Sequence, residues 1–338
     1  MAERGGRDGT ALLRAIVLGY DIGTRLVMAL GYSRPRSTMH STHSLGSLFG
    51  ATAASGALAG LDARQSEHLI SYAVQQASGV PYWQRDGEHV EKAFDFGGMG
   101  ARNGVAAACM VAAGFSGVEG ALTGEHSYLA AFAESPDPGM LTDGLGARFE
   151  IMATAIKKWC VGSPIQAALD SMKALIDDNG LTPDAVTAIT AIMPDDRLHV
   201  VDDRDMPDVC LQHLIAVILI DGTLGFAGAH DHARMSDPAV RAVRDRIRLV
   251  PSPELTQAKP PRQAIIEIET RDGRSLRHHT KAVLGTPANP MSEAEIAAKA
   301  RDLVAPVLRS ERTETLIESL LAIERFGPVS GLRPLLQA

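Results

Sequence analysis

The sequence predicts a mainly helical protein with an inserted α+β segment, and three observations carry that reading. Apolar residues recur at helical spacing through the first half of the chain. Alternation with a period of two begins only after about residue 180, and helical spacing returns beyond Pro287 and Pro290. The predicted division is residues 1–153 for the first part of a helical domain, 154–288 for an α+β domain, and 289–338 for a return segment that completes the helical domain. An all-helical domain formed by both chain ends, plus one inserted α+β domain, is the expected architecture.

Ala11 to Leu30 has helical spacing, with Tyr20-Asp21-Ile22-Gly23 in its middle. A polar turn spans Tyr32 to His40. From Leu45 to Leu61 almost every second or third residue is Gly or Ala, which predicts a central, buried helix that lets other backbones come close. Asp62 and Gln65 start the next helix, Ser66 to Ala77. The run Phe94-Asp95-Phe96-Gly97-Gly98-Met99-Gly100 follows a charged turn and precedes a helix, Ala101 to Ala113. Its glycines are expected to break regular structure, giving either a tight helix–helix turn or a carboxylate-binding helix N-terminus.

In the second half, Val186 to Met193 and Arg262 to Thr270 alternate like strands. Asp272-Gly273 then predicts a hairpin into Ser275 to Val283. Helices are expected at Leu211 to Ile220, Pro238 to Leu249 and near Thr313 to Glu324, and Ser292 is a candidate N-cap for the helix after it.

Composition bounds the function. The 338 residues suffice for two domains, and 45% apolar with 22% charged is globular rather than disordered. Aromatics at 4% beside 32 glycines favour closely packed helices. A formal charge of −7 argues against a nucleic-acid partner, so an acidic substrate must meet locally gathered cations. Cys109, Cys160 and Cys210 lie far apart without a CxxC pair, which suits a reducing compartment. No apolar run spans a membrane, and the start MAERGGRDGT lacks a signal-peptide pattern, so a cytoplasmic location is expected.

Four constellations bear on chemistry. His40-Ser41-Thr42-His43 sets two imidazoles three residues apart with hydroxyls between them, although histidines in turns often only cap or solvate. In Lys157-Lys158-Trp159-Cys160-Val161-Gly162-Ser163-Pro164, a partly desolvated Lys would have its pKa lowered toward that of a base. The bland alternative is a solvent-facing Lys pair. His230-Asp231-His232 lacks a third ligand at motif spacing, and His278-His279 on a strand face opposite ways, so no metal site is predicted. The acidic run Asp202 to Asp205, after Asp195 and Asp196, reads as a solvated connection. No P-loop, dinucleotide fingerprint or nucleophile elbow occurs.

Several of these stretches, taken together and in order, resemble the MmgE/PrpD family, which includes 2-methylcitrate dehydratase, cis-aconitate decarboxylase and iminodisuccinate epimerase. The carrying segments are Gly19 to Arg25, His40 to Gly46 running into the small-residue helix, Phe96 to Gly104, Lys157 to Pro164 with Ala167 to Asp170, and Leu219 to Gly222. The resemblance implies that the α+β domain is a lid over an active site in a cleft between the two domains. It also implies no metal or organic cofactor, and a homodimer.

Carried over residue by residue, His40 matches the family's first active-site His, and Lys157 the Lys opening its Lys-x-aromatic-Pro motif. Phe96 stands where decarboxylase-type members have a His. Val209 stands where a later His is found, with His213 one turn on. Members carry further helices ahead of the segment matching Gly19 to Asp21, so this chain reads as N-terminally short, with apolar surface that either a partner subunit covers or that weakens the fold.

The expected function is that of a lyase or isomerase abstracting a proton next to a carboxylate of a small polycarboxylic acid, as a dehydratase, decarboxylase or epimerase. His40 and Lys157 form the expected acid/base pair. Asp95, Gly97 and Gly98 place the substrate, and Ser41, Thr42, His43 and His213 are second choices. The alternative is a catalytically impaired family member acting as a dimeric binding protein.

Overall fold

The computed structural model describes residues 1–31, 40–81, 85–86 and 89–337, so most of the expected polar turn before His40 and part of the charged turn lie outside the described residues. The protein is mainly helical with one small mixed sheet, and it divides into two compact units. One comprises Met1–Ala153 with Glu311–Ala338, the other Thr154–Ser310. Among the described residues no helix is long and apolar enough to cross a membrane.

The first unit is built on helix contacts that only small residues permit. Helix α1 (Gly9–Met28) starts at Asp8, whose carboxylate accepts from Ala11 N. Helix α2 (Thr42–Ala59) ends at Gly60, in the left-handed region at φ 71°. Helix α3 (Ala63–Gln75) opens with a capping box between Asp62 and Gln65, the two residues expected to start it. A Cβ on Gly23 of α1 would lie 2.5 Å from Gly46 O, and one on Gly50 of α2 would lie 2.8 Å from Gly19 O. These two helices therefore touch through bare backbone, as the small-residue pattern of α2 predicts.

The glycine run at 97–100 corrects an expectation. Instead of breaking the chain, it lies in one continuous helical rod: α4 (Val90–Ala93), a π-helical turn (Phe94–Gly98) and α5 (Met99–Ala112). Met99 N–H donates to Phe94 O, five residues back, so the N–H groups expected to face an anion are spent inside the helix. The reason lies in packing. A Cβ on Gly100 would sit 2.6 Å from Leu48 N, and one on Gly104 2.6 Å from Thr52 N, so these glycines let α5 press against α2. The short helix α6 (Tyr128–Phe132) adds Tyr128 and Leu129 to a core with Leu26, Leu45, Leu48 and Phe49.

Arg25 of α1 is fully buried, at 0% exposure. Its Nε donates to Asp21 Oδ2 at 3.0 Å, its Nη1 to Asp143 O at 2.7 Å, and its Nη2 to Arg148 O at 3.0 Å. Asp21 Oδ1 accepts from Glu150 N at 2.9 Å. One guanidinium thereby ties the irregular 140–150 segment to α1.

The second unit surrounds a four-stranded sheet. In chain order it contains α7 (Gln166–Asn179), β1 (Val186–Pro194), α8 (Asp195–Val201), α9 (Leu211–Asp221), α10 (Phe226–Ala229), α11 (Pro238–Arg244), β2 (Ile247–Ser252), α12 (Pro253–Gln257), β3 (Ala264–Thr270), β4 (Ser275–Thr280) and α13 (Glu293–Leu308). The strand order is β2-β1-β3-β4, with β1 parallel to β2 and antiparallel to β3. The predicted hairpin forms, with Ile266 opposite His278 and Gly273 at φ 85° in its turn. Ile266 and Ile268 face the core, while Glu267 and Glu269 point away. Helix α9 is buried from Leu211 through Leu219 and forms the centre of that core. Ser292 caps α13 through a capping box with Glu295.

Two segments differ from expectation. The helix expected over Pro238 to Leu249 stops at Arg244, and Ile247–Ser252 becomes the edge strand β2, with Ile189 opposite Ile247. Ile247, Leu249 and Val250 prolong the helical apolar spacing, so pairing with β1 rather than local pattern decides their structure. Asp195 and Asp196, read as loop, open α8, where carboxylates suit a helix N-terminus.

Two outcomes test this packing. Gly104→Ala should destabilise the protein by about 1–3 kcal/mol, because backbone atoms of α2 cannot move aside. Gly97→Ala, whose Cβ meets nothing within 4 Å, should instead be neutral or stabilise by up to ~1 kcal/mol. Opposite signs in denaturant titrations would confirm the contact. In the same assay, Arg25→Met should cost about 3–5 kcal/mol, since Asp21 then remains buried without its cation.

Candidate active site

In the first unit, the sequence-named residues gather where the start of α2 meets the π-helical turn. Ser41 is the N-cap residue of α2, and its N–H donates to Gly79 O at 3.1 Å. Ser44 Oγ lies within hydrogen-bond distance of two carbonyls, Ser41 O at 2.7 Å and Ser78 O at 2.6 Å, and its one hydroxyl proton is shared between them, holding the turn against the end of α3. With the turn held this way, Ser41 Oγ donates to Asp95 Oδ2 in a short hydrogen bond. Both partners are buried, Ser41 at 2% and Asp95 at 7% exposure. A buried carboxylate is costly without a donor, and this hydroxyl supplies one. Asp95 belongs to the π turn, a local widening of the kind that often re-aims side chains at functional sites.

The two imidazoles of the turn stand differently. His40 is half-buried, with its ring centroid 5.1 Å from that of Phe132. His43 is exposed and stacks on Phe96 at 3.9 Å with the planes 4° apart. Lys92 Nζ lies 5.7 Å from the centroid of the same Phe96 ring and 3.4 Å from His89 Nε2. Thr42 begins α2, and Gly97 and Gly98 lie within the π turn. The site thus offers two imidazoles, a hydroxyl–carboxylate pair and an ammonium beside an aromatic face. Lys92 and His89 were not singled out in the sequence, although Lys92 precedes Phe96 by four residues, the spacing that brings helical side chains together.

In the second unit, Lys157 is exposed, and its Nζ donates to Val161 O at 3.0 Å. The segment after it is clamped to α7. Trp159 N donates to Gln166 Oε1 at 3.1 Å, Gln166 Nε2 returns a bond to Trp159 O at 2.9 Å, and Trp159 Nε1 donates to Asp170 Oδ1 at 2.8 Å. Burial pushes the Asp170 carboxyl above the usual carboxylate range, against the hydrogen bonds from Leu284 N and Trp159. Val209 is buried just ahead of α9. His213, inside α9, is 0% exposed, and neither ring nitrogen has a hydrogen-bond partner among the described residues. Burial first, then Arg244 and Arg234, lower its pKa to about 4. His213 is therefore a neutral core side chain at physiological pH. His40 and its neighbours belong to one unit, Lys157 and His213 to the other.

His213 generates a pH prediction with a definite sign. Between about pH 6.5 and 4 the unfolded chain binds a proton that the folded chain refuses, so stability rises with pH there. The contribution is complete above the ordinary histidine value and is lost as pH falls toward 4, by about 1.4 kcal/mol per pH unit. His213→Leu should flatten this acid limb and match or exceed the parent's melting temperature at pH 5. Parallel losses in both proteins would refute the assignment.

Comparison with known proteins adds the lineage. The cis-aconitate decarboxylase-like protein oryM of Aspergillus oryzae is 26% identical, over 97% of this chain and 71% of that protein. The model of the MmgE/PrpD N-terminal domain matches residues 1–141, and that of the C-terminal domain matches residues 159–324. With both domain models matched in order, the chain belongs to the MmgE/PrpD family.

Proposed function

We propose that the protein is a lyase or isomerase that removes a proton next to a carboxylate of a small polycarboxylic acid. The observation that carries this reading is the buried Ser41–Asp95 hydrogen bond at the base of the His40–His43 turn. A proton α to a carboxylate is weakly acidic. Its removal needs a positioned base, and the enolate-like charge that develops needs nearby donors or cations. The reading gives the base to His40 and keeps Ser41 oriented through Asp95. Lys92, with Phe96 beneath it, supplies positive charge for a substrate carboxylate. Lys157 is the second acid/base group, released from Val161 O when it acts.

What leaves defines the reaction: hydroxide in a dehydratase, carbon dioxide in a decarboxylase, a proton alone in an epimerase. The likeness to a cis-aconitate decarboxylase-like protein supports the lyase branch. Phe96 lacks the transferable proton of an imidazole and supports the second reading, a family member that binds its acid without turnover. The exposed stripe Leu13, Ile16 and Tyr20 on α1 supports a homodimer.

The test is exchange of the α-proton in deuterium oxide, followed by NMR over citrate-like and aspartate-derived acids. His40→Ala and Lys157→Ala should each lower exchange by roughly 10²–10⁴-fold. Asp95→Asn should give a smaller loss, since Ser41 keeps an acceptor. A parent protein that exchanges none of these acids favours the binding reading.

A further inference from the structure

Resting on the reading of Lys157 as the second acid/base group, we propose that Gln166 is a positioning residue for it: the Gln166 amide keeps Val161 O hydrogen-bonded when the lysine leaves that carbonyl.

Residues 158–161 form bends rather than helix or strand, so their backbone groups need partners from outside the local chain. Gln166, the first residue of α7, is 3% exposed and supplies several of them. Its Oε1 accepts from Trp159 N at 3.1 Å. Its Nε2 carries two protons and faces two carbonyls, Trp159 O at 2.9 Å and Val161 O at 3.4 Å. Next to this segment Gly162 N donates to Asp208 O at 3.0 Å, and Lys299 Nζ donates to Lys157 O. None of these anchors uses the Lys157 side chain, so its ammonium can swing away while the backbone stays in place.

Val161 O is the shared point. It accepts from Lys157 Nζ at 3.0 Å and from Gln166 Nε2 at 3.4 Å, one donor for each lone pair. Val161 is 2% exposed, and a carbonyl without a donor in such surroundings is costly. Were Lys157 its sole partner, each departure would carry that cost and the ammonium would be held at rest. With Gln166 present, departure leaves the carbonyl bonded, the longer contact has room to shorten, and water solvates the exposed ammonium. An apolar side chain of similar length at position 166 would turn the same lysine bond into a lock.

Thermal melts of the whole chain test the takeover without any substrate, in the parent, Lys157→Ala, Gln166→Met and the double variant. Lys157→Ala should melt within about 2 °C of the parent, because Gln166 still serves Val161 O. In the Gln166→Met background the same change should cost roughly 3–6 °C, because the carbonyl then loses its last donor. Gln166→Glu, which accepts from Trp159 N but whose carboxylate has no proton to give, takes the place of Gln166→Met should the latter not fold. Positioning is read from α-proton exchange with citrate-like and aspartate-derived acids. Gln166→Met should lower kcat about 5–30-fold, leave KM within about 2-fold, and have no further effect in the Lys157→Ala background. Additive melting shifts overturn the proposal, as does a large loss from Lys157→Ala alone or an equal loss of exchange from Gln166→Met with and without Lys157. A parent that exchanges none of the acids ends the role of Lys157 in the chemistry, whereas the melts still decide whether Gln166 holds Val161 O.

Discussion

The first unit depends on helices that meet without side chains between them. Gly19 and Gly23 of α1 lie against Gly46 and Gly50 of α2, and Gly100 and Gly104 of α5 lie against the opposite side of α2. At such distances a methyl group is already a collision, so the helix axes are set by backbone contact rather than by adaptable rotamers. The proposed chemistry needs that rigidity. Ser41 is the residue from which α2 starts, and Asp95 lies one turn before the glycines of α5. The hydroxyl–carboxylate bond joins two rods whose separation is fixed elsewhere.

A second constraint acts on the irregular part of the same unit. The 140–150 segment has little regular structure, yet its carbonyls converge on Arg25. Arg suits this position because its planar fork donates in several directions and keeps its charge when buried. Asp21 neutralises it one turn away on α1 and also receives Glu150 N–H. The Tyr20-Asp21-Ile22-Gly23 stretch thus combines two duties: Gly23 admits α2 on one side, and Asp21 with Arg25 organises a loop on another.

Sequence pattern revealed those parts of the molecule that local forces decide. The helix starts at Asp62 and Ser292, the Asp272-Gly273 hairpin and the closely approached helix α2 follow from residues within a few positions of one another, and all are present. What escaped was decided at long range. Ile247–Ser252 has helical spacing and is a strand because β1 lies beside it. The glycines at 97–100 look like a break and are a packing surface, a role visible only once α2 is placed. At the candidate site, His40, Ser41 and Asp95 are individually recognisable, but the bond between Ser41 and Asp95 spans 54 positions and has no sequence signature. Lys92, a lone Lys in a charged stretch, reads as solvated until Phe96, four residues on, gives its chain a surface.

Phe96 is where structure bears most directly on chemistry. A ring at this position keeps the flat shape of an imidazole, and it stacks on His43 with the planes nearly parallel. What it lacks is a titrating nitrogen. In the proposed reaction, proton traffic on this side of the substrate then falls to His40, while His43 and Lys92 are held in place by the face and neighbourhood of the phenyl ring. Such a ring favours cations beside it through its negative face. In the proposed reading, a site arranged in this way meets the negative charge of a carboxylate with fewer proton donors. That matches a reaction in which one proton is moved more closely than one in which two imidazoles act in succession.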